Sequence, residues 1–299
     1  MPKHTPPGST PRPFLKWAGG KRALMDQILA RIPDGPIELY VEPFLGGGAV
    51  FLELARQGRI RRAILNDRNP ELVETWSMVR DAPEALIAAV RQWDVCEATY
   101  YHVRDELEPA ALDPVTRAAR VLWLNRTCFN GLYRKNRSGR FNVPYGRYKT
   151  VRLVDEDNLR AVSAALAEVV IYDFDFESIL EMAGPGALVY CDPPYWPVSR
   201  TASFNCYDGL AFGVAEQERL AASFAALADQ GAYGILSNSW TDETLELYQR
   251  HGLYIDAVEA RRSINSNGDR RGPVPEVMAT TRAWGVAARA TPLKAAGVR

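Results

Sequence analysis

At 299 residues the chain can hold one large domain or two modest ones with a proper core. Its 47% hydrophobic and 24% charged content is that of a globular protein, and no apolar run approaches the roughly 20 residues that span a bilayer. Its 36 basic residues balance 36 acidic ones, so net charge alone gives no reason to expect a polyanionic partner.

The opening "MPKHTPPGSTPRP" lacks an apolar segment and reads as a loose tail, not a signal peptide, so a cytoplasmic protein is expected. Cys96, Cys128, Cys191 and Cys206 form no CxxC pair, and His4, His102 and His251 lie far apart. Reduced thiols are expected, with no metal site and no histidine-based triad. Next, "FLKWAGGKR" (14–22) sets Lys16, Trp17 and Lys21 around two glycines. Taken by itself, a helix start with a packed tryptophan explains that stretch.

"IELYVE" (37–42) reads as a strand that enters the glycine turn "PFLGGGAV" and then the helical "FLELARQG". "RRAILND" (61–67) is a second strand ending on an acid, which is the opening of an open α/β nucleotide-binding sheet. Gly46 and Gly48 supply a G-x-G, but Phe51 stands where the dinucleotide fingerprint wants a third glycine. Asp67 lies 19 residues beyond Gly48, near the offset of a carboxylate that grips ribose hydroxyls. No basic residue follows in the turn. A nucleoside cofactor without phosphates, such as S-adenosylmethionine, fits this loop better than NAD. Glu42, just before the loop, is as readily a plain strand-end carboxylate as a cofactor neighbour.

Residues 70–127 are helix-compatible, with "PEALIAAVRQW" and "PVTRAARVLWLN" apolar at helical spacing. Residues 128–150 are rich in Gly, Asn, Arg and Tyr and predict turns and a short hairpin. Between Pro114 and Val154 there is no Asp or Glu, while Arg117, Arg120, Arg126, Arg134, Lys135, Arg137, Arg140, Arg147, Lys149 and Arg152 all fall there. So long an uncompensated run predicts contact with phosphates.

From about 155 the alternation resumes. "EVVIYDFD", "GALVYCD" and "AYGILSNSW" read as strands, "EQERLAASFAALADQG" and "TLELYQRHG" as helices, and "LYIDAVEA" with "EVMATTRAW" as an antiparallel pair. The expected organisation is an α/β core from 14–69 and 155–286, an inserted helical and loop-rich unit over 70–154, and disordered tails at 1–13 and 287–299.

In "VYCDPPYWP" (189–197) a strand runs into an acid and two prolines, which end the strand and stiffen the turn carrying the acid. A nucleobase amine is a poor nucleophile because its lone pair is delocalised into the ring. Asp192 and the Pro193 carbonyl are acceptors that can take its two N–H bonds and favour tetrahedral nitrogen. Tyr195 can stack on the base, worth about 1–3 kcal/mol in such contacts. A base so treated has to leave the duplex stack. Cys191 reads as a buried strand residue.

"FLKWAGGK", "VEPFLGGGAVFLELA", "ILNDRNPELV", "NRTCFNGLYRKNRSGRFNVPYGRYK", "YCDPPYWPVSRTASFNCY", "LSNSW" and "RRSINSNGDRR", in this order, resemble the Dam family of DNA adenine-N6 methyltransferases over roughly residues 14–284. The resemblance implies a class I, Rossmann-like methyltransferase sheet with an inserted DNA-recognition unit, S-adenosylmethionine as cofactor and duplex DNA as partner. It further implies an enzyme of a bacterial or phage cytoplasm, associated with the nucleoid and able to act as a monomer.

By motif position, Trp17, Lys21, Gly46, Gly48 and Asp67 line the cofactor site, and Asp192 sits between cofactor and target amine, with Pro193 and Tyr195 beside it. Lys16 faces the flipped adenine. In "FNGLYR", Arg134 is suited to a guanine edge and Leu132 to a thymine methyl, while Phe129 and Asn130 help hold the duplex open or reach bases beside the target. Arg147 and Lys149 are placed on phosphates. The implied recognition sequence is GATC.

The chain departs from the family pattern at Thr127 and Cys128, at Trp196, and at Ser239 and Trp240. Methylation of cytosine N4 follows the same amine logic, but its usual loop begins with Ser rather than Asp. A non-catalytic DNA-binding regulator has no use for the glycine loop and DPPY together. A Rossmann oxidoreductase has no use for the basic insertion.

Overall fold

The computed structural model describes residues 10–197, 212–260 and 274–282. The "RTASFNCY" and "RRSINSNGDRR" segments, Cys206 and most of both tails lie outside them. The strands are β1 Tyr40–Glu42, β2 Ala63–Asn66, β3 Val169–Tyr172, β4 Leu188–Cys191, β5 Tyr233–Ser239, β6 Tyr254–Ala260 and β7 Val274–Thr280. They form one seven-stranded sheet in the order β3-β2-β1-β4-β5-β7-β6. The first five run parallel, and β7 lies antiparallel between β5 and β6. This is the Rossmann-like sheet that the resemblance implies, and "LYIDAVEA" and "EVMATTRAW" pair as read.

Helices α1 Met25–Leu29 and α2 Ala49–Arg56 precede β2. Between β2 and β3 lie α3 Pro70–Asp81, α4 Pro83–Val90, α5 Glu97–Tyr101, α6 Pro114–Thr127 and α7 Glu156–Ala165. The later strands alternate with α8 Phe176–Leu180, α9 Val214–Ala226 and α10 Asp242–Arg250. Helix starts follow local chemistry. Asn69 and Asp113 cap α3 and α6 by accepting from Glu71 N and Thr116 N, each with proline at the first helical position.

Alternation along the strands divides the core in two. Tyr40, Leu65, Tyr190 and Ile235 pack with the α2 and α3 side, whereas Val41, Val189, Cys191 and Leu236 pack with α8, α9 and α10. Strands β1, β4 and β5 are buried along their whole length, as expected for parallel strands covered on both faces. Among the described residues, no helix is long and apolar enough to cross a membrane.

The basic run between Pro114 and Val154 is not one phosphate-facing surface, which corrects the sequence reading. Helix α6 is buried on most sides, so its arginines turn inward. Arg117 forks onto both oxygens of Glu74 at 2.5 and 2.6 Å. Buried Arg120 donates to the carbonyls of Val103 and Arg104, and Arg126 donates to that of Phe14.

Residue 70 is not a clean seam either. Arg80 of α3 donates to the β3 carbonyl of Val169, and Ser163 of α7 donates to the Arg80 carbonyl. At the amino end, Arg12, which the sequence placed in the loose tail, exchanges two backbone–amide bonds with Asn158, at 3.0 and 2.9 Å.

Candidate active site at the carboxyl edge of the sheet

The chain leaves β1 toward β2 on one side and reaches β4 on the other, so the crevice between β1 and β4 is the switch point where open sheets take ligands. Glu42 ends β1, Asp67 follows β2 and Asp192 follows β4. The parallel register therefore delivers carboxylates from three separate strand ends to one rim.

The glycine loop is closed from two sides. Gly46 N donates to Asp67 Oδ2 at 2.8 Å, and Trp76 Nε1 donates to the Gly46 carbonyl. Asp67 Oδ1 accepts from Asn69 N, so this carboxylate shapes the loop. Gly48 caps α2 at φ +63°, and a Cβ there would lie 2.6 Å from the Trp76 ring, so only glycine fits. Trp17 lies edge-on against Gly46, 3.0 Å from where a Cβ would stand.

Lys21 is buried and reaches across to the acid of the DPPY loop. Its Nζ lies 2.6 Å from Asp192 Oδ2 and 2.7 Å from the Gly19 carbonyl, and 4.9 Å from the centre of the Tyr195 ring. Burial raises the Asp192 carboxyl above its ordinary range, opposed by Lys21 and by the Ser237 hydroxyl. Burial also pushes Glu42 from 4.5 up to about 8, with Asp192 and Asp67 adding to the rise and the Tyr40 hydroxyl opposing it. Near neutral pH Glu42 is then mostly protonated, which spares the rim a third negative charge.

The loop is suspended from the elements beneath it. Ser237 donates to Asp192 Oδ1, Gln217 to the Pro194 carbonyl, and Trp196 N to Asn238 Oδ1. Tyr195 OH donates to Glu276 Oε2 at 2.9 Å. Burial and the neighbouring Asp192 and Glu276 hold the Tyr195 phenol above its ordinary range. Ser237, Gln217, Asn238 and Glu276 were not singled out from the sequence. Cys191 is buried, as read.

The residues 128–149 form an irregular hairpin, with antiparallel bridges at Cys128–Tyr145 and Lys135–Phe141. Phe129 and Leu132 are 49% and 44% exposed, large for apolar side chains on a surface, and Asn130 is exposed at φ +55°. Arg134 donates to the Asn142 side chain at 2.7 Å and to its carbonyl, which braces the guanidinium across the hairpin. Arg147 is exposed and pairs with Glu97 at 2.8 Å, and Lys149 is exposed.

This hairpin is tied to the amino-terminal segment that carries Lys16 and Trp17. The Asn125 amide bonds both the N–H and the carbonyl of Lys16, each at 2.8 Å, and the carbonyl of Gly131 at 3.0 Å. A Cβ on Gly131, at φ +64°, would stand 2.4 Å from Lys16 Cδ. Trp17 packs against Tyr133 with ring centres 4.9 Å apart and planes tilted by 33°, and Tyr133 OH donates to Glu71 at the start of α3. Trp17, Lys21, Gly46, Gly48, Asp67 and Asp192 thus share one rim. Phe129, Asn130, Leu132 and Arg134 lie on the hairpin that adjoins it, and Arg147 and Lys149 lie further along the same hairpin.

A family model described as D12 class N6 adenine-specific DNA methyltransferase matches residues 17–264. A type II methyltransferase of Methanocaldococcus jannaschii is 39% identical over 276 residues, covering 87% of this chain and 95% of that protein. A type II methyltransferase of Lactococcus lactis subsp. cremoris is 37% identical, covering 90% and 95%. The DNA adenine methylase of Escherichia coli K12 is 38% identical over 272 residues, covering 90% and 94%.

Proposed function

The chain belongs to the D12 class of N6 adenine-specific DNA methyltransferases, and we propose that it methylates the N6 amine of an adenine extruded from duplex DNA, within GATC, with S-adenosylmethionine as donor. The observation that carries this reading is the position of Asp192. It stands at the end of β4, facing the glycine loop across the switch point, with its loop tied down by Ser237, Gln217, Asn238 and Glu276.

The residues at the rim fit the donor. The half-buried carboxylate of Asp67 stands beside the loop for ribose hydroxyls, Trp17 walls the loop, and residues 43–50 hold no Lys or Arg to meet a diphosphate. When bound, S-adenosylmethionine supplies a methyl group on a positively charged sulfur. Asp192 Oδ2 and the Pro193 carbonyl accept the two amine hydrogens, draw electron density onto nitrogen and stabilise the positive charge that develops there. Lys21 vacates Oδ2 for the amine while keeping the Gly19 carbonyl as its alternative partner. Tyr195, anchored by Glu276, presents its ring to the base. Positioning and electrostatics supply the rate, and no covalent enzyme intermediate is required.

Sequence reading falls to the hairpin. Exposed Phe129 and Leu132 are suited to unstacked bases and a thymine methyl, and braced Arg134 is suited to guanine O6 and N7. Arg147 and Lys149 meet phosphates.

The test is to incubate the purified protein with S-adenosylmethionine and unmethylated plasmid, digest to nucleosides and quantify N6-methyladenine and N4-methylcytosine. N6-methyladenine is expected among the nucleosides, and mapping of the modified sites on undigested plasmid is expected to confine it to GATC. Methylated adenines outside GATC as often as within it would remove the sequence assignment. Methylcytosine alone would overturn the reaction.

A further inference from the structure

Asp192 has two oxygens, and the fold treats them differently. The β4–β5 register pairs Cys191 with Leu236, so one residue further Ser237 stands beside Asp192. Ser237 is fully buried, and its Oγ lies 3.1 Å from Asp192 Oδ1, 3.3 Å from the Cys191 carbonyl and 3.2 Å from the hydroxyl of Tyr190, itself buried. A carboxylate and a carbonyl only accept, so the single hydroxyl hydrogen of Ser237 is directed at them. The Tyr190 hydroxyl is then left as donor to Ser237. The result is a one-way chain from Tyr190 through Ser237, whose hydrogen is shared between Oδ1 at 3.1 Å and the Cys191 carbonyl at 3.3 Å, the carboxylate being the nearer. Oδ2 is left facing Lys21 and the rim.

We propose that Ser237, backed by Tyr190, is a positioning residue for methyl transfer: it fixes Oδ1 of Asp192 so that Oδ2 is the oxygen presented to the target amine. The inference rests on the methyltransferase reading above. The groups that face Asp192 are Lys21 from the amino-terminal turn, Glu42 from β1, Tyr190 from β4, Ser237 from β5, and Tyr195 of its own loop with Glu276 of β7 behind it. Among these, Ser237 and Tyr195 are neutral hydroxyl partners of Asp192; Ser237 is the one at Oδ1, and its loss changes no formal charge.

The measurement is the single-turnover rate of methyl transfer to a GATC duplex as a function of pH, for wild type, S237A and Y190F, together with KM for duplex and for S-adenosylmethionine. S237A is expected to slow transfer about 10–100-fold, the worth of a hydrogen bond to a charged group, with both KM values unchanged. Without its donor the carboxylate takes up a proton more readily, so the acid limb moves to higher pH by about one unit. Y190F, which keeps the serine bond, is expected to move the limb in the same direction by less, and it provides the readout if S237A does not fold.

An active wild type whose S237A variant transfers at the wild-type rate overturns the inference. So does a slowed S237A, or where S237A does not fold a Y190F, whose acid limb stays in place, because a merely structural serine would behave that way. A wild type that forms no N6-methyladenine overturns the function itself, and this inference falls with it.

Discussion

The loop at 192–197 and the hairpin at 128–149 lie on the same side of the molecule and are built by opposite means. The loop hangs from side chains of α9, β5 and β7, and Ser237 and Asn238 beneath it are fully buried. The hairpin has isolated bridges in place of a ladder, carries Phe129 and Leu132 outward while Cys128, Phe141 and Val143 anchor it to the core, and braces Arg134 through Asn142. Chemistry requires a carboxylate held to within a fraction of an ångström, and a buried register supplies that. Base reading requires side chains that reach another molecule, so their surroundings are left open. Under the proposed function, reaction falls to the buried support and base reading to the open one, and substitutions should separate the two.

The largest effect tests the buried side. Asp192→Ala should reduce methylation by roughly 10³-fold or more, while S-adenosylhomocysteine still raises the melting temperature. Surviving turnover would take the reaction away from the loop. Arg134→Ala should come next, relaxing discrimination at one guanine by about 10–100-fold with adenine still methylated, as read by mapping modified sites. If the methylated sites are unchanged, Arg134 serves only to brace Asn142, and the contrast loses its specificity arm. Smallest is Arg147→Ala, where affinity should fall a few-fold and evenly across sequences, with a salt slope reduced by about one. A selective loss at one sequence would move Arg147 from positioning to reading.

Much of the sheet rim is legible in sequence because apolar runs end on acids there: "LYVE", "AILND" and "LVYCD" each announce where a strand opens into a loop. What hides is whatever depends on register. Ser237 is one small polar residue in "YGILSNSW", and it meets Asp192 only because β5 lies beside β4, 45 residues away in sequence. Glu276 is likewise an ordinary strand carboxylate until β7 folds back to place it under Tyr195.

The arginines of α6 mislead for a related reason. Charge counted along a chain does not say which face of a helix carries it, and Glu74, the partner of Arg117, lies 43 residues earlier. The turns of α1, α5 and α8 are too short for periodicity to reveal, and the last two start at the side-chain caps Cys96 and Asp175.

The bond set around Asn125 bears on how such proteins diversify. Its amide grips Lys16, 109 positions away in the chain, as well as Gly131, while Trp17 lies against Tyr133. The socket of the hairpin is therefore inherited in two pieces. A recombination event, or an engineer, that exchanges only residues 128–149 between relatives carries the plug without its socket. Exchange that preserves the fit takes Lys16, Trp17 and Asn125 along, so the hairpin with its socket is discontinuous in the gene although contiguous in the fold.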